Sequence, residues 1–217
     1  LAFGLLLGAC TEDAPDEAGD VDAPATTTTS VPSAVSVRLG QLLIGPEGLR
    51  DQGFEPTVVS RGFAARRAPR INLCGEDIRA DLRVVAGRQS RFADGAVEVS
   101  HTVTSGGDTN AFLARFDEVV DGCEAPWTEP PLPTGGGPLQ REITGRYPLP
   151  DVGLPASAAV VRSRNQVGST DTVVVVLVQG AVVSSLSVSG PLGSDFDVVE
   201  PAVQAAADRL VQSAAGP

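Results

Sequence analysis

The stretch of residues 171–188, DTVVVVLVQGAVVSSLSV, decides the fold of this chain. Its first half places six apolar residues in a row at 173–178, which is typical of a central strand covered on both faces. Gln179-Gly180 then predicts a turn, and residues 181–188 continue as a second strand. The stretch therefore predicts a β-hairpin in the middle of a sheet.

A second hairpin is predicted upstream of this one. Residues 89–92 and 96–105 are predicted strands on either side of Asp94-Gly95, which is a strong turn signal. In the second of these strands every other residue shares one face, so His101 lies among valines on the side expected to be buried.

Helices are predicted after the second hairpin and at the end of the chain. Asp108 or Thr109 can cap a helix that Gly122 ends, and a closing helix begins near Asp195 or Asp197. The apolar stripe of the first helix consists of Phe112, Phe116, Val119 or Val120, and Cys123.

The remaining segments complete the pattern. Weaker elements are a strand or short helix at 34–44, a short helix at 45–52, a strand at 57–64, an amphipathic helix at 76–85, a proline-rich loop at 126–138, and strands at 141–149 and 157–164. No βαβ alternation appears. The order predicts an α+β fold, an antiparallel β-sheet with helices packed on one face, as a single domain over residues 37–213.

Composition excludes several chemistries. All 16 basic residues are Arg, so the chain has no phosphate-loop lysine and no Schiff-base lysine. A single histidine, His101, excludes the common zinc-hydrolase motifs. A net charge of −11 argues against a nucleic-acid partner. We therefore expect no metal, no cofactor and no enzymatic activity.

The start of the chain, LAFGLLLGAC, indicates export. Residues 1–9 are typical of the apolar part of a signal peptide and too few to span a bilayer, which needs about 20. Leu7-Gly8-Ala9-Cys10 resembles the lipobox of bacterial lipoproteins, which implies cleavage before Cys10 and acylation of its thiol and new amino group. The alternative is a buried apolar strand that happens to end in cysteine.

The segment that follows Cys10 has the composition of a tether. Residues 11–33 contain six acidic residues, no basic residue and a run of four threonines. Such a segment cannot bury enough apolar surface to offset the entropy of ordering it. The predicted organisation is a signal-peptide remnant at 1–9, a lipidated Cys10 with a disordered acidic tether at 10–36, and the domain at 37–213.

The other two cysteines fit an exported protein. Cys74 and Cys123 form an even pair 49 residues apart, which favours a disulfide in an oxidising compartment. A catalytic pair of Cys74 or Cys123 with His101 is the alternative. A serine triad is not assembled, because Ser100 precedes His101 on a strand and points to the opposite face.

Arginines are concentrated in one part of the chain. Eight of the 16 lie within residues 61–91, which suggests a face that binds anions or anionic lipid headgroups. A solvated surface in a chain without lysine is the alternative. The candidate ligand-binding residues are Arg61, Arg66, Arg67, Arg70 and His101, the last as a cleft-wall or a core histidine.

Four segments together resemble a known family: residues 96–105, 110–123, 173–188 and 196–211. They are similar to the extracellular sensor domain of an actinobacterial serine/threonine kinase and its free-standing lipoprotein relatives, the PknH-like extracellular domain family. The resemblance implies an antiparallel sheet with helices, and a cleft that binds an unidentified ligand.

These observations lead to one expectation of function. The chain is expected to be a lipoprotein anchored through acylated Cys10 on the extracytoplasmic side of the membrane, where its sensor-like domain binds a small molecule or an envelope protein. The alternative is an envelope lipid carrier with an apolar cavity. A hydrolase has the weakest support.

Overall fold

The computed structural model describes residues 34–64, 69–130 and 137–214, which all fall in one compact unit. Two 3-10 helices, Arg50–Gln52 and Ile78–Leu82, accompany the regular elements. In chain order these are α1 Ala34–Gln41, β1 Glu55–Ala64, β2 Asn72–Leu73, β3 Glu76–Asp77, β4 Val84–Asp94, β5 Val97–Gly106, α2 Thr109–Gly122, β6 Trp127–Glu129, β7 Leu139–Arg146, β8 Ala156–Arg164, β9 Ser169–Gln179, β10 Val182–Pro191 and α3 Val199–Ala214.

Within these residues, eight strands form one antiparallel sheet in the order β1-β4-β5-β10-β9-β8-β7-β6, and β2 pairs separately with β3. Both predicted hairpins form, as β4–β5 and β9–β10. Their turns contain Gly95 at φ 56° and Gly180 at φ 55°, a left-handed conformation that glycine adopts without steric penalty. The predicted α+β class with an antiparallel sheet is confirmed.

Strand β9 is covered on both faces of the sheet. It contributes side chains to both, since successive residues of a strand point to opposite sides. Val173, Val175 and Leu177 join a buried cluster with side chains of α1 and α3, on what we call the α1/α3 face. Val176 and Val178 join a second cluster with side chains of α2, on the α2 face. The prediction that β9 is covered on both faces is confirmed. The expectation of helices on only one face is wrong, since α2 packs opposite α1 and α3.

Helix α2 matches its sequence prediction closely. Asp108 caps it, and its carboxylate accepts a hydrogen bond of 3.0 Å from the backbone N–H of Ala111. The buried residues of the helix are Thr109, Phe112, Phe116, Val119 and Val120. In α3, Pro201 lies in the first turn, where no backbone N–H is needed.

The predicted helix at 76–85 is wrong. The segment instead contains β3, one 3-10 helix and the first residues of β4. Ile78 and Leu82 are buried, as helical periodicity predicts, but Arg83 adopts a left-handed φ of 48° and ends the helical turn. Val84 then pairs with Gly106, so pairing within the sheet overrides local helix periodicity.

One other segment differs from its prediction, and for a second the structure selects one of two predicted alternatives. The predicted loop at 126–138 contains the short strand β6, and the segment at 34–44 is a helix over its first eight residues. The predicted signal-peptide remnant, Cys10 and most of the predicted tether lie outside the described residues. No helix among the described residues is long and apolar enough to cross a membrane.

Candidate functional site

The two middle strands carry hydroxyl side chains on the α2 face. These side chains are Ser100, Thr102 and Thr104 of β5 and Ser185, Ser187 and Ser189 of β10. Ser187 lies opposite Ser100, and Ser185 lies opposite Thr102. On the same face, β8 and β9 present apolar side chains to α2. One half of the α2 face is therefore apolar and covered, and the other half is hydroxylated.

The hydroxylated half is the floor of a groove with a volume of about 320 Å³. The floor is bordered by residues 69–73, which end with β2, and by the side chains of Arg79 and Leu82. Gln89 and Arg91 of β4 also border it. This volume lies near the lower end of the range of about 300–1,000 Å³ for small-molecule sites. The groove therefore has room for one small ligand.

Gln89 organises part of the floor. Its Nε2 donates to Ser100 Oγ at 2.9 Å and to Thr102 Oγ1 at 3.3 Å. Farther along, the hydroxyls of Thr172 and Ser189 are 3.0 Å apart and hydrogen-bonded. A hydroxyl has one donor and two acceptor positions, so these bonds orient the hydroxyls and leave capacity for a ligand.

Four arginines line the groove: Arg70, Arg79, Arg91 and Arg141. Each is near a carboxylate. The closest nitrogen–oxygen distances are 4.0 Å from Arg70 to Asp77, 3.6 Å from Arg79 to Asp77, 3.9 Å from Arg91 to Glu98, and 3.0 Å from Arg141 to Glu129. Glu98 is the single acidic residue among the described lining residues. The groove surface is thus richer in cations than the acidic chain as a whole.

Three polar atoms of groove residues are buried without a hydrogen-bond partner among the described residues. They are Asn72 Oδ1, Arg79 Nη1 and Arg141 Nε. Leaving a buried donor or acceptor unpaired costs about 1–3 kcal/mol, so native structures contain few such atoms. Their concentration beside one groove indicates hydrogen-bonding capacity that the described residues leave unused.

A disulfide holds the groove wall against α2. Cys74 and Cys123 are joined with their Cα atoms 5.7 Å apart, which agrees with the predicted pairing. Cys74 and Gly75 form the two-residue turn between β2 and β3, with φ of 53° and 80° as a type I′ hairpin turn requires. The bond therefore connects the turn that follows Asn72 and Leu73 to the C-terminus of α2.

The structure separates the predicted ligand-binding arginines. Arg70 lies in the groove wall, whereas Arg61 is an exposed residue of β1, opposite Gln89, and does not line the groove. Arg66 and Arg67 lie outside the described residues. Of the arginines named as ligand-binding candidates, Arg70 is the one that the described residues place at the groove, and Arg79 and Arg91 of the wider cluster at 61–91 also line it.

His101 has a structural role and is not a groove residue. It is fully buried on the α1/α3 face, where its Nδ1 accepts a bond of 3.0 Å from the backbone N–H of Ile44. Its Nε2 is 2.8 Å from Ser184 Oγ and donates to it, since a neutral ring carries one N–H. Burial lowers the pKa of His101 to about 3. The expectation that His101 binds ligand is corrected for this reason: no face of its ring reaches the groove.

Sequence reasoning missed most of the groove. It did not select Asn72, Gln89 or Arg141, and it counted Arg79 only as one of the eight arginines at 61–91. Arg141 is distant in the chain from the other three and reaches the groove only through the order of the strands. One signal was available: every second residue of 183–189 after Val183 is a serine, in a strand that otherwise predicts burial. Hydroxyl side chains on one face of a central strand indicate a site for a polar ligand.

Two acidic residues near the end of α2, Asp117 and Asp121, pair with Arg146. Arg146 contacts Asp117 at 2.7 Å and Asp121 at 2.9 Å, and its hydrogen bond to Asp121 holds the pKa of that carboxyl below its usual range. The part of the chain that the structure describes contains no group of three or more His, Cys, Asp or Glu side chains placed to hold a metal ion.

Comparisons with known proteins reveal a similar fold and no similar sequence. No family model matches the chain, and no curated protein matches its sequence. The extracellular domain of PknH from Mycobacterium tuberculosis has a similar structure, with a TM-score of 0.57 and 14% identity over 83% of this chain and 97% of that domain. An uncharacterised protein from Mycobacterium smegmatis aligns with a TM-score of 0.42 and 10% identity, over 79% of this chain and 96% of its own.

Proposed function

We propose that this chain is an extracytoplasmic, sensor-like domain that binds one small polar ligand in its groove and is held at the membrane by acylated Cys10. It does not catalyse a reaction in this proposal. The lipobox-like sequence at 7–10 supports the anchor, and the fold shared with the extracellular domain of PknH supports the compartment.

The hydroxylated floor is the observation that carries the ligand-binding proposal. The centre of a sheet is where apolar side chains and a covering helix contribute most to stability. Here β5 and β10 present serine and threonine instead, and α2 packs on β7, β8 and β9. A ligand with hydrogen-bonding groups can bind to these hydroxyls, which α2 does not cover.

The groove favours a polar ligand over the alternative of an acyl chain. A lipid carrier needs an apolar cavity, because each buried CH₂ contributes about 0.8 kcal/mol only when its surroundings exclude water. Apolar side chains such as Leu73, Val174 and Val183 line part of the groove, and hydroxyl and guanidinium groups line the rest.

A groove-blocking variant tests the proposal. Ser187→Phe places an aromatic ring on the floor, and Ser60→Phe makes the same change at an exposed position of the edge strand β1. The full chain and both variants would be recovered from membranes, equilibrated with a small-molecule extract of cell envelopes, and analysed by native mass spectrometry.

The expected result is a small polar species that binds the unchanged protein and Ser60→Phe but not Ser187→Phe. Melting temperatures of all three proteins serve as the control for folding. Equal binding of every species to all three proteins, or no binding to any, would refute the groove as a ligand site.

A further inference from the structure

The charge of the groove differs from the charge of the chain. The whole sequence has 27 acidic and 16 basic residues, yet the described groove lining has four arginines and one acidic residue. With the neighbouring Asp77 and Glu129 counted as well, the four arginines still outnumber the three carboxylates. Positive groups gathered in a concave site raise the local concentration of anions, because the walls focus the field and exclude water. The groove is thus suited to an anionic ligand.

The arginines keep donors available beside their acidic partners. A guanidinium has five N–H donors and no acceptor, and one carboxylate occupies at most two of them well. Arg91 is 44% exposed, and its contact to Glu98 is 3.9 Å, too long for a hydrogen bond. The side chains of Arg79 and Arg141 are 14% and 28% exposed, and each also has one buried nitrogen without a partner among the described residues. The exposed parts of these guanidinium groups match the oxygens of a phosphate or a carboxylate.

The hydroxyl side chains of the floor are suited to hydroxyl groups on the ligand, as the arginines are suited to its anionic group. Its serine and threonine hydroxyls donate and accept hydrogen bonds, as the hydroxyls of a sugar or polyol do. The described lining residues include no aromatic ring, so contacts to the ligand are hydrogen bonds and ion pairs instead of ring stacking. Arginines at the rim beside a hydroxylated floor fit a molecule that has both an anionic group and several hydroxyls.

We infer that the groove binds an anionic polyol, meaning a sugar or polyol that carries a phosphate or carboxylate group recognised by Arg79, Arg91 and Arg141. This inference rests on the proposed function and names the ligand class of the same groove. The ligand is either a free small molecule or the headgroup of a lipid.

Calorimetric titration with defined probes tests the ligand class. Glucose 6-phosphate and glucuronate supply both features, glucose supplies only the hydroxyls, and inorganic phosphate supplies only the charge. At least one of the first two is expected to bind at least about tenfold more tightly than glucose and inorganic phosphate, since a charge-assisted hydrogen bond is roughly twice as strong as a neutral one. Binding is expected to weaken as salt is added.

Arginine variants connect the affinity to the groove. Arg91→Gln and Arg79→Gln are each expected to weaken binding of the anionic probe about tenfold or more. Arg50→Gln is the matched control, because Arg50 is a half-exposed arginine paired with Glu47 and does not line the groove. Thermal unfolding shows whether Arg79→Gln still folds, and Arg91→Gln carries the test if it does not.

Vesicles distinguish the two sources of the ligand. In a Cys10→Ser background, which has no acyl chain to insert into the bilayer, binding to phosphatidylcholine vesicles that contain phosphatidylinositol, abolished by Ser187→Phe, would assign the groove to a lipid headgroup. Equal binding to phosphatidylglycerol vesicles, unaffected by Ser187→Phe, would show general attraction to a charged surface and overturn the inference.

Two results separate this inference from the proposed function. If glucose or inositol binds as tightly as the anionic probes, and Ser187→Phe blocks it while Arg91→Gln does not, the groove binds ligand but the anionic class is wrong. If neither vesicles nor any defined probe binds, yet the extract yields a species that Ser187→Phe excludes, the inference again fails and the proposed function stands.

Discussion

His101 is a fully buried histidine with a hydrogen bond at each ring nitrogen. His101 connects β5 to Ile44, after the end of α1, and to Ser184 of β10. Both ring nitrogens are satisfied only in the neutral form, because Nδ1 must accept. A proton on Nδ1 would break the bond from Ile44 and leave a charge in the core.

This arrangement predicts an acid sensitivity that belongs to His101. Between pH 6.5 and about pH 3 the unfolded chain binds a proton at this residue and the native protein does not, so stability falls as pH is lowered through that range. The loss is about 1.4 kcal/mol per pH unit. Above pH 6.5 the residue contributes no pH dependence.

His101→Asn isolates the effect, because an amide does not titrate and its oxygen can still accept from Ile44. Denaturant unfolding measured across the same pH range is expected to give a smaller loss of stability on acidification in His101→Asn than in the unchanged protein. The carboxylates contribute equally to both proteins. Parallel curves would show that His101 is not the group responsible.

At the scale of elements, the β2–β3 hairpin depends on a bond outside itself. A hairpin of two strands with two residues each has little stability by itself. Leu73 packs in the α2 cluster, and Cys74, which adopts the left-handed conformation that only glycine takes freely, is bonded to Cys123 at the end of α2. The hairpin in turn presents Asn72 to the groove.

Removing the disulfide is expected to destabilise both the domain and the groove wall. The closed loop of 49 residues corresponds to roughly 4 kcal/mol in the chain-entropy model. Cys74→Ser with Cys123→Ser, in a Cys10→Ser background, should lower the free energy of unfolding by about that amount. The expected groove effect is weaker binding of whichever probe the unchanged protein binds.

Denaturant unfolding and calorimetry of the same samples check the two effects, and the single Cys10→Ser variant is the control. An unchanged unfolding midpoint would contradict the structural role of the bond. A lower midpoint with full ligand affinity, measured where the variant is still folded, would show that the wall does not need the bond.

At the scale of the whole molecule, the chain combines an acidic character with an arginine-lined groove. Acidic side chains keep a net charge of −11, and residues 11–33 carry acids without any base. A chain of this charge is repelled by anionic headgroups. Electrostatic attraction does not hold such a chain at a membrane, so the proposed anchor relies on acyl chains, and on more than one of them.

The anchor gives a direct prediction. The mature protein is expected to start at Cys10 with a mass increased by acyl chains, and to partition with membranes. Cys10→Ser should move it to the soluble fraction with its melting temperature unchanged, because residue 10 precedes the first described element. Intact-mass analysis and membrane fractionation check this. An unmodified thiol at Cys10 in a membrane-fractionated protein would exclude acylation.

Local patterns in the sequence were sufficient for part of the regular structure. Both hairpins, the cap at Asp108 and the buried stripe of α2 depend on residues within one turn or one strand of each other. The segment at 76–85 was interpreted incorrectly, because Ile78 and Leu82 have helical spacing but Val84 is drawn into pairing with Gly106. Sheet pairing is a long-range contact that periodicity does not contain.

The class of fold and the pairing of Cys74 with Cys123 could be predicted from the sequence. These predictions depend on cysteine number and side-chain alternation, which are local or additive properties. The groove could not be predicted in the same way, because Asn72, Arg79 and Arg141 come together through strand order and one disulfide. His101 points away from the groove because alternate residues of β5 face opposite sides of the sheet. The helices packed on each side decide which side is core and which side contains the site.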